Sequence, residues 1–239
     1  MTWPPICSLP DAAPLGNQYT IDRFFWGADC WSVAAPVARC IRRMAKFNAR
    51  KIYGSWTAGY VLDLHTKGST YIGDDEYGHP QFDTQRTEIG ELLFRLKYRS
   101  DESVVKELVD SAISFIRSWR VKPSIIVPIP ATRTYRRLQP VARLADDIGA
   151  RLKLLVAHDV IRKKKKFTEL KDVYDAEERR RLLEGAFDVD SSRVKGEHVL
   201  LVDDLYRSGA TMNAIGQVLL ASGAVAVYAF AFTQTRSRV

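Results

Sequence analysis

Two adjacent carboxylates, Asp203 and Asp204, stand between an apolar run and a small-residue loop, in the string Val199-Leu200-Leu201-Val202-Asp203-Asp204-Leu205-Tyr206-Arg207-Ser208-Gly209-Ala210-Thr211. Four consecutive apolar residues read as a strand buried on both faces, as in a parallel sheet. The acids fall where such a strand should end. From Ala210 the apolar residues Ile215, Val218 and Leu219 recur at helical spacing, so the loop feeds the start of a helix. That arrangement suits an anion. The first backbone N–H groups of a helix point outward without partners, and the macrodipole adds positive potential. Gly209 lets the backbone approach a phosphate closely, and Ser208 and Thr211 can add hydroxyl donors. Asp203 and Asp204, just before the cradle, suit ribose hydroxyls or a Mg²⁺ shared with a diphosphate. The plain alternative for an Asp-Asp after a strand is a solvated turn with a helix cap.

A second anion loop follows another buried strand. Ser124-Ile125-Ile126-Val127 runs into Pro128-Ile129-Pro130-Ala131-Thr132-Arg133. In a parallel sheet this is the carboxyl end, where α/β folds bind ligands. The prolines stiffen the turn, and Ala131, Thr132 and Arg133 carry donors for an anion. An ordinary proline-rich connection is the alternative. Downstream, Arg162 and Lys163, Lys164, Lys165 and Lys166 form a run of cations, joined later by Arg179-Arg180-Arg181. Residues 131–181 hold 15 Lys/Arg against 8 Asp/Glu, so nearly all of the chain's formal charge of +8 lies around this region. A mobile basic flap over Lys163–Lys166 would neutralise a departing diphosphate and exclude water. A solvated loop and a nucleic-acid patch are the other readings.

The elements that must hold these groups come in alternation. Strands are expected at 124–128, 153–157, 198–202 and 224–232, with helices over 138–152 and 212–222, which makes an α/β fold with a doubly wound parallel sheet. Upstream, Thr87 and Asp83 are candidate caps for a helix carrying Ile89, Leu92, Leu93 and Leu96, and Asp101 or Ser103 starts a second helix ending before Pro123. Residues 33–48 have apolar residues at helical spacing. Residues 57–73 alternate enough to suggest a hairpin about Thr66-Lys67-Gly68-Ser69, and 73–87 reads as a polar loop. His65 and His79 lie near Asp63, Asp74, Asp75 and Glu76, a conceivable metal site in no standard spacing. His158 reads as structural. The expected division is therefore residues 1–86, a smaller N-terminal accessory region without an assigned role, and 87–239, the ligand-binding domain.

With 239 residues, 46% of them hydrophobic, the chain can build one good-sized core with an appendage. No apolar run is long enough to cross a bilayer, and the first residues lack a basic and then apolar leader. Cys7, Cys30 and Cys40 form no C-x-x-C pair, so disulfides and structural zinc are not expected and a reducing cytoplasm fits.

The 199–211 string resembles the phosphoribosyl diphosphate (PRPP) signature of type I phosphoribosyltransferases, with Tyr206-Arg207-Ser208 where many members carry threonines. A narrower resemblance follows from four segments in order: Leu96-Lys97-Tyr98-Arg99; Val127-Pro128-Ile129-Pro130; Tyr135-Arg136-Arg137-Leu138-Gln139-Pro140; and Arg180-Arg181-Leu182-Leu183-Glu184-Gly185-Ala186-Phe187. Residues 88–239 are similar to the ComF family, amidophosphoribosyltransferase-like proteins linked to DNA uptake in competent bacteria. The chain departs from that family in having no cysteine-rich zinc segment, in matching the Arg-Gly-Phe-Asn-Gln run only at Arg136 and Gln139, and in carrying Leu182 at the usual Asn.

The resemblance implies a Mg²⁺-dependent enzyme that moves ribose 5-phosphate from PRPP to a nitrogen acceptor. Arg207, Ser208, Gly209, Ala210 and Thr211 would hold the 5-phosphate. Asp203 and Asp204, the catalytic and metal-binding pair, would hold the ribose hydroxyls. Ala131, Thr132 and Arg133, with the Lys163–Lys166 loop, would meet the diphosphate. The other implied reading is a non-catalytic PRPP- or nucleotide-binding adaptor acting with DNA or a DNA-processing protein. A sugar-phosphate hydrolase lacks a placed nucleophile or base. The resemblance also implies a homodimer.

Overall fold

The computed structural model describes residues 44–131, 139–164, 183 and 185–236. Residues 43–239 form one compact unit, and 1–42 lie outside the description. Among the described residues ten strands and four α-helices follow in chain order. They are β1 (Arg50–Lys51), β2 (Ala58–Leu64), β3 (Thr66–Asp74), β4 (Pro80–Arg86), α1 (Glu88–Arg99), α2 (Val105–Trp119), β5 (Ile125–Pro128), α3 (Pro140–Leu152), β6 (Leu155–Val156), β7 (Ile161–Lys163), β8 (Phe187–Val189), β9 (His198–Tyr206), α4 (Ala210–Ala221) and β10 (Ala226–Gln234).

The main sheet has the order β1-β2-β10-β9-β5-β6. All of its pairs are parallel except the antiparallel edge β1–β2. Side chains alternate across the central strands. Leu200 and Val202 of β9, with Phe230 and Phe232 of β10, enter a core roofed by α1, α2 and α3. Val199 and Leu201, with Val227, Ala229 and Ala231, enter the opposite core against Met212, Ile215 and Leu219 of α4. Both faces are therefore dry, which is why these strands read as continuous apolar runs. The β5–α3–β6 crossover leaves β5 towards one edge on one face. The β9–α4–β10 crossover leaves β9 towards the other edge on the other face. The strand order thus reverses between β5 and β9, the place where open α/β sheets bind ligands.

The doubly wound parallel sheet and its four expected strands are present, and the helix caps follow the sequence: Thr87 Oγ1 accepts from the Gly90 N–H at 3.0 Å, and Asp101 caps the 3₁₀ turn Glu102–Val104. Upstream of residue 87 the structure differs. The hairpin expected across 57–73 is absent, because β2 pairs in parallel with β10 instead. The sequence held a sign of this: Val61 and Leu62 are adjacent and both fully buried, as a strand covered on both faces requires. β3 instead pairs with β4, so the expected loop at 73–87 is the second arm of a hairpin. Its tip is held by Asp75, whose Oδ1 accepts from the Tyr77 and His79 N–H groups. Both arms are largely exposed, so the alternation along β3 marks no buried face. Asp83 lies inside β4 and caps nothing. Of the helix expected over 33–48, residues 44–48 carry no regular structure. They lead to β1, and the Lys46 N–H donates to Glu88 Oε2 at 2.7 Å. The boundary expected at 86/87 falls within this unit, since the sheet takes in 50–64.

α1 is pinned where β2 ends. Thr87 Oγ1 donates to the Leu64 carbonyl at 2.6 Å, and a Cβ on Gly90 would collide with the His65 carbonyl oxygen. Gly90→Ala should therefore lower the Tm in a circular-dichroism melt, although alanine is worth about 1 kcal/mol more than glycine in an open helix. Gly68→Ala, with nothing within 4 Å of the added carbon, should leave the Tm close to that of the wild type.

Candidate functional site

β9 extends past the expected strand end and carries both acids within it. The ladder continues because β10 supplies partners beyond them, Ala231 opposite Asp203 and Thr233 opposite Leu205. Strand alternation then sends the two side chains to opposite faces. Asp203 follows Leu201 to the α4 face, and Asp204 follows Val202 to the α1 face.

Their surroundings differ accordingly. Asp204 Oδ2 is 2.7 Å from Lys97 Nζ, reaching across from α1, and both side chains are mostly withdrawn from solvent. Among the described residues no ion pair reaches Asp203, which accepts the Asp204 N–H at 2.8 Å on Oδ1. Asp203 keeps some exposed surface as a residue, but its carboxyl group is withdrawn. Desolvation pushes that carboxyl up to about 8, with the Asp204 charge as the second cause and the Asp204 N–H and Lys97 opposing. A small cavity of about 30 Å³ beside Asp204 is lined by His65, Leu93, Lys97, Tyr98, Leu205 and Thr233. His65 Nδ1 lies 3.2 Å from Thr233 Oγ1, which donates to the Asp204 carbonyl at 3.3 Å. Burial first, then Arg86 and Lys97, hold the His65 imidazole below its usual range.

The small-residue loop begins directly after Tyr206. Gly209 is the N-cap of α4, at φ 73°, in the left-handed region that favours glycine. A Cβ there would also collide with the Tyr206 hydroxyl. Tyr206 is itself packed edge-on against Trp56, ring centroids 6.4 Å apart. Asn213 braces the turn: its backbone N–H donates to the Gly209 carbonyl at 2.8 Å and Nδ2 to the same oxygen at 3.1 Å. Its Oδ1 accepts from the Ser55 N–H at 2.7 Å. Ala210 N–H has only a long contact to Ser208 Oγ, 3.5 Å, and no described group takes the N–H groups of Thr211 and Met212. Arg207 and Ser208 are exposed, and Arg207 makes no ion pair with another described residue. The start of α4 is an open set of donors.

The loop after β5 lies alongside. Pro128 is opposite Val202, and the Ile129 N–H donates to the Val202 carbonyl at 2.9 Å. The chain therefore leaves the sheet one residue before the level of Asp203. Lys163 Nζ donates to the Ala131 carbonyl at 3.1 Å, and burial holds its ammonium below the usual lysine range. Lys163 is thus not part of a free flap. It belongs to β7, which pairs with β8, and Lys164 is bound to Asp188 at 2.9 Å. A run of cations reads as a solvated loop because nothing in it announces the β8 partner. Lys165, Lys166, Thr132 and Arg133 lie outside the described residues.

The structure therefore brings Asp203, Asp204, Arg207–Thr211 and Ala131 to one edge of the sheet, and Lys163 reaches them through Ala131. Lys97, His65, Thr233 and Ser55 join them without a local motif, since each acts through a contact distant in sequence, and Asn213 links Ser55 to Gly209. A larger cavity, about 420 Å³, runs from Ser208 and Ala210 along α4 between Tyr53–Ser55 and Leu183, and the acids do not line it. His158 Nε2 lies 2.7 Å from Asp146 Oδ1, both side chains about half exposed. Among the described residues no group of three or more His, Cys, Asp and Glu side chains could hold a metal, so the histidines near residue 75 form no such site.

No family model matches the chain. It is 29% identical over 153 residues to the competence protein ComFC of Bacillus subtilis (strain 168), covering 62% of this chain and 59% of that protein. Over that stretch the chain is similar to a competence protein, and its fold is α/β with a mostly parallel sheet. It spans about three fifths of that relative's length. Among solved structures it is similar to adenine phosphoribosyltransferase from Trypanosoma brucei in complex with AMP, pyrophosphate and ribose-5-phosphate (13% identity, TM-score 0.44, 79% of this chain and 86% of that one). It is also similar to the glutamine PRPP amidotransferase of B. subtilis (14% identity, TM-score 0.41, 72% of this chain and 36% of that one). Among the described residues no helix is long and apolar enough to cross a membrane.

The Asp203 carboxyl binds its proton more tightly in the folded chain, about 8 against an ordinary 3.8. Its contribution to stability is then complete below the lower value and falls as pH rises through that window. Without divalent cations, the Tm of the wild type should drop from pH 5 to pH 8 relative to Asp203→Asn. Parallel Tm–pH curves for the two proteins would contradict this environment for Asp203.

Proposed function

We propose that this ComF-like chain binds PRPP with Mg²⁺ at the carboxyl edge of β5 and β9, and transfers its ribose 5-phosphate to a nitrogen acceptor. The observation that carries the reading is the start of α4: Gly209 at φ 73° and unshared N–H groups at Thr211 and Met212, directly after the acid pair. The amides of this turn, the Thr211 hydroxyl and the Arg207 side chain would hold the 5-phosphate, with Ser208 and Ala210 shaping the turn. Asp204 would accept from a ribose hydroxyl. Asp203 would do so directly or as a ligand of Mg²⁺, which supplies charge neutralisation to the diphosphate when bound. Ala131, Thr132 and Arg133 would meet the diphosphate, with Lys163 fixing the Ala131 peptide and Lys164, Lys165 and Lys166 adding positive potential.

The reaction asks little covalent chemistry of the protein. The anomeric C–O bond breaks with its electron pair leaving on diphosphate, the acceptor nitrogen forms the new C–N bond, and the acceptor's proton passes to water. Positioning and electrostatics carry the rate, because positive charge develops on the ribose ring and negative charge on the leaving group. No protein nucleophile is required.

The likeness to a competence protein favours a second reading, a PRPP-binding adaptor that works with DNA. Such DNA binding should weaken steeply with salt, and a gel shift without a complex at low salt removes it.

Calorimetric titration tests the first reading. PRPP should bind in the presence of Mg²⁺ and lose at least about tenfold in affinity in Gly209→Ala, because an added Cβ displaces the turn that presents the amides. The Asp203→Asn/Asp204→Asn double variant should lose the dependence on Mg²⁺. Unchanged PRPP affinity in both variants would remove the assignment.

A further inference from the structure

The geometry points to Lys97 as a positioning residue that divides the work of the two acids, an inference that rests on the PRPP reading of the site. Lys97 comes from α1, 107 residues before Asp204 in the sequence, and its Nζ meets Asp204 Oδ2 at 2.7 Å. Exposed surface pairs of this kind are worth little, since solvent screens them. This one is different in kind: only 13% of the Asp204 side chain and 27% of the Lys97 side chain are exposed. The same two side chains line the small cavity that holds the His65 and Thr233 contacts. Thr233 Oγ1 also holds the Asp204 backbone carbonyl. Asp204 is thus fixed through both its backbone and its side chain, on the α1 face of β9.

That fixing has a chemical consequence. Both acids of an Asp-Asp pair could compete for one divalent cation. Here one carboxylate is committed to an ammonium, and the other stands on the opposite face without an ion pair among the described residues. Asp204 is left as an oriented hydrogen-bond acceptor for a ribose hydroxyl, and Asp203 faces the side of α4, where the 5-phosphate is held. Sugar recognition and cation recognition are then separable, and Lys97 governs the first of them. Loss of Lys97 leaves a withdrawn carboxylate without its partner, free to turn from the sugar.

The test is titration of three probes, each with Mg²⁺, into the wild type, Lys97→Met and Lys97→Arg. The probes are PRPP, ribose 5-phosphate and inorganic diphosphate. Methionine keeps the packing of the lysine stem and removes the charge; arginine keeps the charge. Lys97→Met should weaken both sugar phosphates by about tenfold or more, the scale of a lost hydrogen bond to a charged group, and leave diphosphate unchanged. Lys97→Arg should restore most of the loss. If Lys97→Met binds the sugar phosphates as the wild type does while its Tm falls, the pair is a strut between α1 and β9 and the inference fails. Equal weakening of all three probes overturns it as well, because the effect is then general. If the wild type binds neither sugar phosphate, the PRPP reading itself fails and takes the inference with it.

Discussion

β9 is hydrogen-bonded along both edges, to β10 on one side and β5 on the other, and its two faces are covered by different helices. That constraint shapes everything functional in the molecule. A strand paired on both edges and covered on both faces can expose functional groups only at its ends. At the carboxyl end the crossover helices depart to opposite faces, α3 on one and α4 on the other, the place where open α/β sheets bind ligands. The acids, the α4 N-terminus and the Pro-rich loop meet there because the sheet has no other place for polar chemistry.

The polar groups at this end of the sheet are expensive to bury, and each is managed differently. Asp204 is given a cation from α1. Asp203 is given backbone donors and is driven toward its neutral form. The first amides of α4 are left open, which in a dry setting is tolerable only where water or an anion can reach them. Gly209 is indispensable to that opening on two counts, its positive φ and the Tyr206 hydroxyl against it. Trp56, Ser55 and Asn213 then hold the turn from outside, so the cradle is braced by a segment more than 150 residues away in sequence.

What was legible in the sequence is what is local. The quartet Val199–Val202 announces a doubly covered strand, and Gly209 with its small neighbours announces the turn into α4. Thr87 and Asp101 announce their caps by type and position. What was not legible depends on choice of partner. Nothing near Lys97 points to Asp204, and the contact exists only once α1 lies across β9. β2 shows its buried character in Val61 and Leu62, yet whether it pairs with β3 or β10 is a non-local decision. β3 and β4 are largely exposed, so the alternation through residue 73 marks no buried face and does not say which strand pairs with which. Lys163 sits in a run of cations whose composition says loop, whereas β8 and the Ala131 carbonyl hold it in place. The apolar quartet alone ends the strand before the acids, yet the strand runs on through them, because its length follows from its neighbours: β10 continues to Gln234 and carries β9 with it to Tyr206.

The central claim, that the edge of β5 and β9 is a site for PRPP with Mg²⁺, is tested most directly by a crystal structure of the chain grown with both. The account predicts the 5-phosphate on the Thr211 and Met212 amides, a ribose hydroxyl at Asp204, and the diphosphate beside Ala131. PRPP seated instead in the cavity between Tyr53 and Gln217, or an acid pair untouched by the sugar, would contradict it.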